Sequence, residues 1–236
     1  VIPKINQKHF LEKVFYLPKC YIPCSNDLLS KKSNKKFSRS ELNLPEKEIV
    51  FCAFHNPHKI NPEIFNVWIK ILKRTKKSVL WIRSNNEVAK KNLKHQAKKG
   101  GLNPQRIIFA GRTENINDHI ERLKLADIFL DTYPYNSHST IYDNLKAHLP
   151  MVIREGISFP SRVGSSVYSS INLNELVAKN NLDYENIAVA LANSSSKLNK
   201  IKNKIQIQLK DNYLFNSKNF TEDLEKVYLE IFNKKT

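Results

Sequence analysis

Five short apolar runs, at residues 49–54, 79–82, 106–109, 128–130 and 151–153, alternate with longer stretches of helical periodicity. Short apolar runs bounded by turn chemistry read as buried strands, and strands separated by helices of about 10–14 residues require crossover connections, hence a parallel sheet. The intervening stretches carry their own punctuation. Asn61 is an N-cap, Pro62 suits the first turn and Glu63 complements the dipole, after which Ile64, Trp68, Ile71 and Leu72 share one face. Further helices are predicted over 86–99, closed by Gly100 and Gly101, over 118–125 and over 139–147. The fold class is therefore α/β, a Rossmann-like parallel sheet with flanking helices.

Residues 1–47 lack this alternation. A short helix fits 9–16, prolines make 17–23 extended, and 30–40 is a polar, basic loop, so the segment reads as a connector and residues 48–236 as the sheet-bearing lobe. Beyond residue 159 the pattern turns helical, most clearly over 194–209 and 217–232. In the latter Phe220, Leu224, Val227, Tyr228, Ile231 and Phe232 form a stripe expected to face the core.

Composition limits the setting. No apolar run approaches the ~18 residues of a membrane helix, and the first residues lack the order of a signal peptide, so a soluble, cytoplasmic protein is expected. Cys20, Cys24 and Cys52 make neither a zinc framework nor a disulfide set, which points to a reducing compartment. The net charge of +17 favours anionic partners. Most of it is lysine on solvated helix faces, without the arginine forks and interleaved aromatics of nucleic-acid surfaces.

In an open parallel sheet, ligands collect outside the carboxyl ends of the strands. The loops there supply residues 56–59, 112–119, 131–140 and 154–162. The richest is Leu-Asp-Thr-Tyr-Pro-Tyr-Asn-Ser-His-Ser-Thr-Ile-Tyr-Asp, residues 130–143, with Asp131, His138, Ser139, Thr140 and Asp143. Thr140 and Asp143 have capping-box spacing, and a strand that re-enters as a hydroxyl-capped helix aims free N–H groups at a point suited to phosphate. Lys59 either reaches a diphosphate or is solvated. His138 is a phosphate or sugar contact or a loop histidine; Asp143 accepts from ribose hydroxyls or caps with Thr140. His119 binds or merely packs, and Arg162 assists a phosphate or pairs with a local acid.

The 130–143 stretch also resembles the nucleotide-sugar signature of the protein O-GlcNAc transferases, usually His-Thr-Thr-x-x-Asp. Val50-Phe51-Cys52-Ala53-Phe54, Lys59-Ile60-Asn61-Pro62, Ser78-Val79-Leu80-Trp81, Arg106-Ile107-Ile108-Phe109, Leu125-Ala126-Asp127 and Ser161-Arg162-Val163 follow that family's order. The resemblance implies the C-terminal, donor-binding lobe of a GT-B glycosyltransferase. It implies too that an N-terminal lobe, with any upstream helical repeats, is missing from this fragment. The implied reaction is inverting transfer from UDP-GlcNAc, or a similar UDP-sugar, to Ser or Thr hydroxyls of an acceptor protein or peptide. No cofactor or metal is expected, in keeping with the absence of an Asp-x-Asp motif.

Position by position, Lys59 corresponds to the catalytic, diphosphate-contacting lysine and Asn56 to a neighbouring amide. His138, Ser139 and Thr140 match the donor-binding triplet, Asp143 the ribose acid, and His119 and Arg122 the His and Arg of the helix before Leu125. The loop 110–118 lacks a lysine found in animal enzymes, for which Arg112 is a substitute, and Lys146 and His148 replace a usual Trp and Gly. Two further readings stay open. One is a degenerate nucleotide-binding or interaction module; the other is a basic nucleic-acid-binding domain, which predicts steeply salt-dependent binding.

Overall fold

The five anticipated strands join a sixth in one parallel sheet. The computed structural model describes residues 1–22, 24, 33–210 and 213–233. Its strands are β1 (Ile49–Ala53), β2 (Ser78–Arg83), β3 (Ile107–Ala110), β4 (Ile128–Leu130), β5 (Met151–Arg154) and β6 (Val177–Ala178). Their order is β3-β2-β1-β4-β5-β6, every pairing parallel. The chain starts at the centre, winds outward to β3, then returns to build the other half from β4. Loops leaving β1 and β4 therefore diverge, and a crevice opens between them.

Burial explains the apolar runs. Val50, Phe51, Cys52 and Ala53 of β1 are buried, as are Ile128, Phe129 and Leu130 of β4, because helices cover both faces. Those helices are α1 (Pro62–Arg74), α2 (Glu87–Lys99), α3 (Ile116–Leu123), α4 (Thr140–Lys146), α5 (Val163–Ser170), α6 (Asn181–Ala192), α7 (Ser195–Leu209) and α8 (Ser217–Asn233). Asn61 caps α1 by accepting from the Ile64 N–H, and Asn86 caps α2 through the Ala89 N–H. Gly101, at φ +73°, follows α2 in the left-handed region. Helix α3 starts earlier than residue 118 because Asn115 accepts from the Asp118 N–H. β6 is too short for any periodicity.

Three expectations are corrected. The short helix expected over 9–16 does not form: a 3-10 helix over Lys4–His9 ends where it should begin, and residues 10–16 are not helical. The stripe on α8 does not face the core: none of the helix's residues is buried, and Tyr228 and Phe232 are 61% and 68% exposed. An amphipathic pattern fixes that a face is apolar, not what covers it, and α8 packs chiefly on the short turn Tyr213–Phe215. The capping box at α4 does not form either. Ser139 occupies the cap position in helical geometry and makes no side-chain cap bond. Upstream, Arg39 ties residues 39–48 to the lobe, donating to the carbonyls of Leu125, Pro45, Glu46 and Glu48 and pairing with Asp127 at 2.9 Å. The expected 17–23 and 30–40 segments lie partly outside the described residues. Among the described residues no helix is long and apolar enough to cross a membrane, and none of the three cysteines is in a disulfide.

The end of α4 explains one unusual residue. His148 donates to the Leu145 carbonyl and Leu149 to that of Asn144, a Schellman closure that puts His148 at φ +52°. A side chain there is strained by about 1–2 kcal/mol, against a glycine entropy cost of about 0.5–1 kcal/mol. His148→Gly is expected to raise unfolding stability by ~0.5–1 kcal/mol in a urea titration; a loss would show that the imidazole is stabilising where it lies. Lys146, at the other unusual position, is buried, its ammonium 5.9 Å from the Phe215 ring centre.

Candidate nucleotide-binding site

Loop 131–139 is built on one buried carboxylate. Asp131 is 1% exposed, and its Oδ1 accepts from the Thr132 N–H at 2.9 Å and from the Ser137 N–H and hydroxyl, both at 2.8 Å. Further pins hold the loop's shape. Thr132 donates to the Tyr135 carbonyl, and the Asn136 amide to the carbonyls of Thr132 and Arg154. Asn61, already capping α1, donates its amide to the Tyr133 carbonyl at 2.6 Å, so the β1 and β4 loops share a residue.

Beneath them lies His55, whose Nε2 is 3.0 Å from the Leu130 carbonyl and 3.7 Å from Asp131 Oδ1. Burial drives its pKa down to about 3 and raises that of Asp131 to about 7. At neutral pH His55 is therefore an uncharged imidazole.

Two clefts open above the strand ends. One, of about 230 Å³, is walled by Phe54, Arg83, Arg112, His119, Thr140 and Asp143. The other, of about 250 Å³, is lined by Asn56, Pro57, Ser84 and Asn85 and shares Arg83 and Arg112 with the first. The expected residues Asn56, Arg112, His119, Thr140 and Asp143 thus converge. Burial raises the Asp143 pKa to about 6, opposed by the charges of Lys146 and Arg83. Burial likewise lowers His119 to about 4, with Arg122 and Arg83 acting in the same direction. Arg122 also lines the first cleft and is mainly a prop: it is 4% exposed, donates to the Gly111 carbonyl at 2.8 Å and lies 4.6 Å over the Phe54 ring.

Lys59 and His138 form a neighbouring group that walls neither cleft. The Lys59 ammonium donates to the Asn136 carbonyl at 3.1 Å. Its pKa is lowered by burial and partly restored by the charge of Asp131. Burial lowers His138 as well, and its Nε2 is buried without a hydrogen-bond partner. Ser139 is exposed beside it.

Arg162 is not brought to the clefts. Its guanidinium donates to the Val1 and Gly156 carbonyls and pairs with Glu155 at 2.9 Å, the local-acid alternative. Sequence reasoning passed over Arg83 and His55. Arg83 ends an apolar run, and the rule applied to the other strands would have found it. His55 has no sequence signal, since its role depends on burial.

A model of glycosyl transferase family 41 matches residues 29–224. The chain is 35% identical over 188 residues to a UDP-N-acetylglucosamine–peptide N-acetylglucosaminyltransferase of Caenorhabditis elegans, covering 80% of this chain and 16% of that protein. It is 32% identical over 230 residues to the Arabidopsis thaliana protein SEC, a probable enzyme of the same name, covering 95% of this chain and 23% of that one. The structure of an O-GlcNAc transferase mutant from Thermobaculum terrenum is similar at a TM-score of 0.84 and 23% identity, over 96% of this chain and 42% of that one. Sucrose-phosphate synthase from Thermosynechococcus elongatus is similar at a TM-score of 0.61 and 13% identity, over 90% and 52%. At these identities the two structures speak to the fold alone, that of a GT-B lobe. The chain spans less than a quarter of either curated relative.

Proposed function

The chain belongs to glycosyl transferase family 41, and from that premise we propose that it is the donor-binding lobe of a protein glycosyltransferase using UDP-GlcNAc or a similar UDP-sugar. The observation that carries the reading is one cleft, at the carboxyl ends of the strands, whose wall includes the guanidiniums of Arg83 and Arg112 and the carboxylate of Asp143, with Arg122 and Glu114 also in its lining. Guanidiniums match the forked oxygens of a diphosphate, and a carboxylate accepts from the paired hydroxyls of a ribose. Lys59 adds a point charge from the adjacent loop.

In inverting transfer an acceptor hydroxyl attacks the anomeric carbon from the face opposite the nucleotide. The bond to the diphosphate oxygen breaks, the hydroxyl's proton is released to solvent as the new C–O bond forms, and the departing UDP takes the bonding pair and gains negative charge. Fixed cations aimed at that charge lower the barrier where it develops, so metal-independent transfer is part of the proposal. The acceptor protein or peptide is assigned to a second lobe that closes on this one.

Calorimetric titration of the chain with UDP, for wild type and Asp143→Asn, tests the reading. With the Asp143 pKa lifted to about 6, the accepting carboxylate is about one-tenth populated at pH 5. This carboxyl should therefore make UDP binding about tenfold weaker at pH 5 than at pH 8. UDP's terminal phosphate titrates in the same range, so the informative quantity is the difference between profiles: Asp143→Asn should retain only the phosphate's share. A folded chain that gives no heat with UDP sinks the proposal. Identical profiles for the two proteins would remove Asp143 from the ribose.

A further inference from the structure

Tyr135 links the two groups outside the clefts. Its ring centre lies 4.0 Å from the Lys59 ammonium, and the ring stacks on His138 with centroids 4.9 Å apart and planes inclined by 18°. Its backbone is fixed at the carbonyl, which accepts from Thr132 at 2.7 Å, and the next residue, Asn136, supplies the carbonyl that holds Lys59. Tyr135 is nevertheless 46% exposed at the rim. Among the described residues the phenol oxygen has no hydrogen-bond partner, so what the ring offers its neighbours is its faces. A cation is drawn to the negative face of an aromatic ring, more strongly where water is partly excluded.

Resting on the donor reading above, we propose that Tyr135 is a positioning residue: its ring holds the Lys59 ammonium and the His138 imidazole in one stack, ready for the nucleotide-sugar. A half-buried lysine with one carbonyl partner would otherwise sample several rotamers, and ordering it on binding would weaken affinity. The ring makes that ordering a property of the free protein. His138 packs on the same ring and is also hydrogen-bonded to the Pro160 backbone, and its buried Nε2 is left without a partner.

The test uses the whole chain and two readouts. Without nucleotide, the Lys59 ε-methylene protons should resonate upfield of solvent-exposed lysines, shielded by the ring face; Lys59→Arg identifies the signal by its loss. Tyr135→Phe should keep the shielding and bind UDP within about twofold of wild type. Tyr135→Leu retains apolar bulk but has no π face, so it separates stacking from simple packing. It should lose the shielding and weaken UDP binding between about three- and thirtyfold, the range of cation–π contacts from exposed to partly desolvated sites. An unshielded Lys59 in wild type overturns the proposal, as does a Leu variant that binds UDP like wild type. A wild-type chain with Lys59 shielded but no UDP affinity overturns the donor reading and with it this role. A wild-type chain that binds UDP with Lys59 unshielded overturns the Tyr135 role and leaves the donor reading standing.

Discussion

Replacing Asp131 with alanine is expected to cost at least ~3 kcal/mol of folding stability and to abolish detectable UDP binding. Three donors converge on Oδ1, the N–H groups of Thr132 and Ser137 and the Ser137 hydroxyl, where water has no access. Each buried donor left unsatisfied costs about 1–3 kcal/mol, so three of them take a large share of a marginal stability. The loop would also lose its shape, carrying Tyr135, Asn136 and His138 with it. Asp131→Asn is the informative comparison, because its carbonyl oxygen still accepts. Oδ2 is buried with no hydrogen-bond partner, so an amide nitrogen in its place breaks no bond.

The pH dependence separates the two variants further. A carboxyl raised to about 7 binds its proton more tightly in the folded chain than in the unfolded one. Its contribution to stability is complete below the ordinary value near 4 and is lost as pH rises through about 7. Asp131→Asn should remove that decline. His55, lowered to about 3, has the opposite sign: its contribution is lost as pH falls from about 6.5, and both proteins keep it. Urea titrations between pH 4 and pH 8 check both statements. An alanine variant within 1 kcal/mol of wild type would mean that the loop is held by something other than this carboxylate.

How much of this was legible depends on whether local chemistry or tertiary burial decides. The strands were, since a buried parallel strand must be a short apolar run, and Ile128-Phe129-Leu130 can hardly be read otherwise. So was α1, because Asn61, Pro62 and Glu63 announce its start before any packing is known. The stripe on α8 shows the limit. Phe220, Leu224 and Phe232 share a face by sequence spacing, but what covers that face is a tertiary fact. At the site, the convergence of Asn56, Arg112, His119, Thr140 and Asp143 followed from topology, because parallel strands send all their loops to one edge. Arg162 reaches the same edge and turns to Glu155, a choice between two acceptors that spacing does not encode. Asp131 was noticed as part of a polar crowd. Its role as the loop's anchor came from burial, which turns an ordinary surface acid into one whose bonds must all be made inside.

Lys59→Ala should weaken UDP binding at least tenfold, ~1.5 kcal/mol, the lower range for a hydrogen bond to a charged group. The ammonium has lost much of its water and has gained in return one carbonyl and one ring face. Burial lowers its pKa, so the site holds the cation at some cost, and a diphosphate would relieve that cost more fully than either neighbour. Affinity for UDP should accordingly decline at alkaline pH sooner than an ordinary lysine would make it. Lys59→Arg should restore only part of the loss, because a planar guanidinium is not interchangeable with a compact ammonium that donates to the Asn136 carbonyl and faces the Tyr135 ring. The competing assignment puts the diphosphate wholly between Arg83 and Arg112, whose cleft does not include Lys59 in its wall. In that case Lys59→Ala would bind UDP normally while Arg83→Ala would not. A ligand spanning both groups would instead make each substitution costly and their double-mutant coupling measurable, since two charges on one diphosphate are not independent. That coupling decides whether the lysine and the arginines serve one anion.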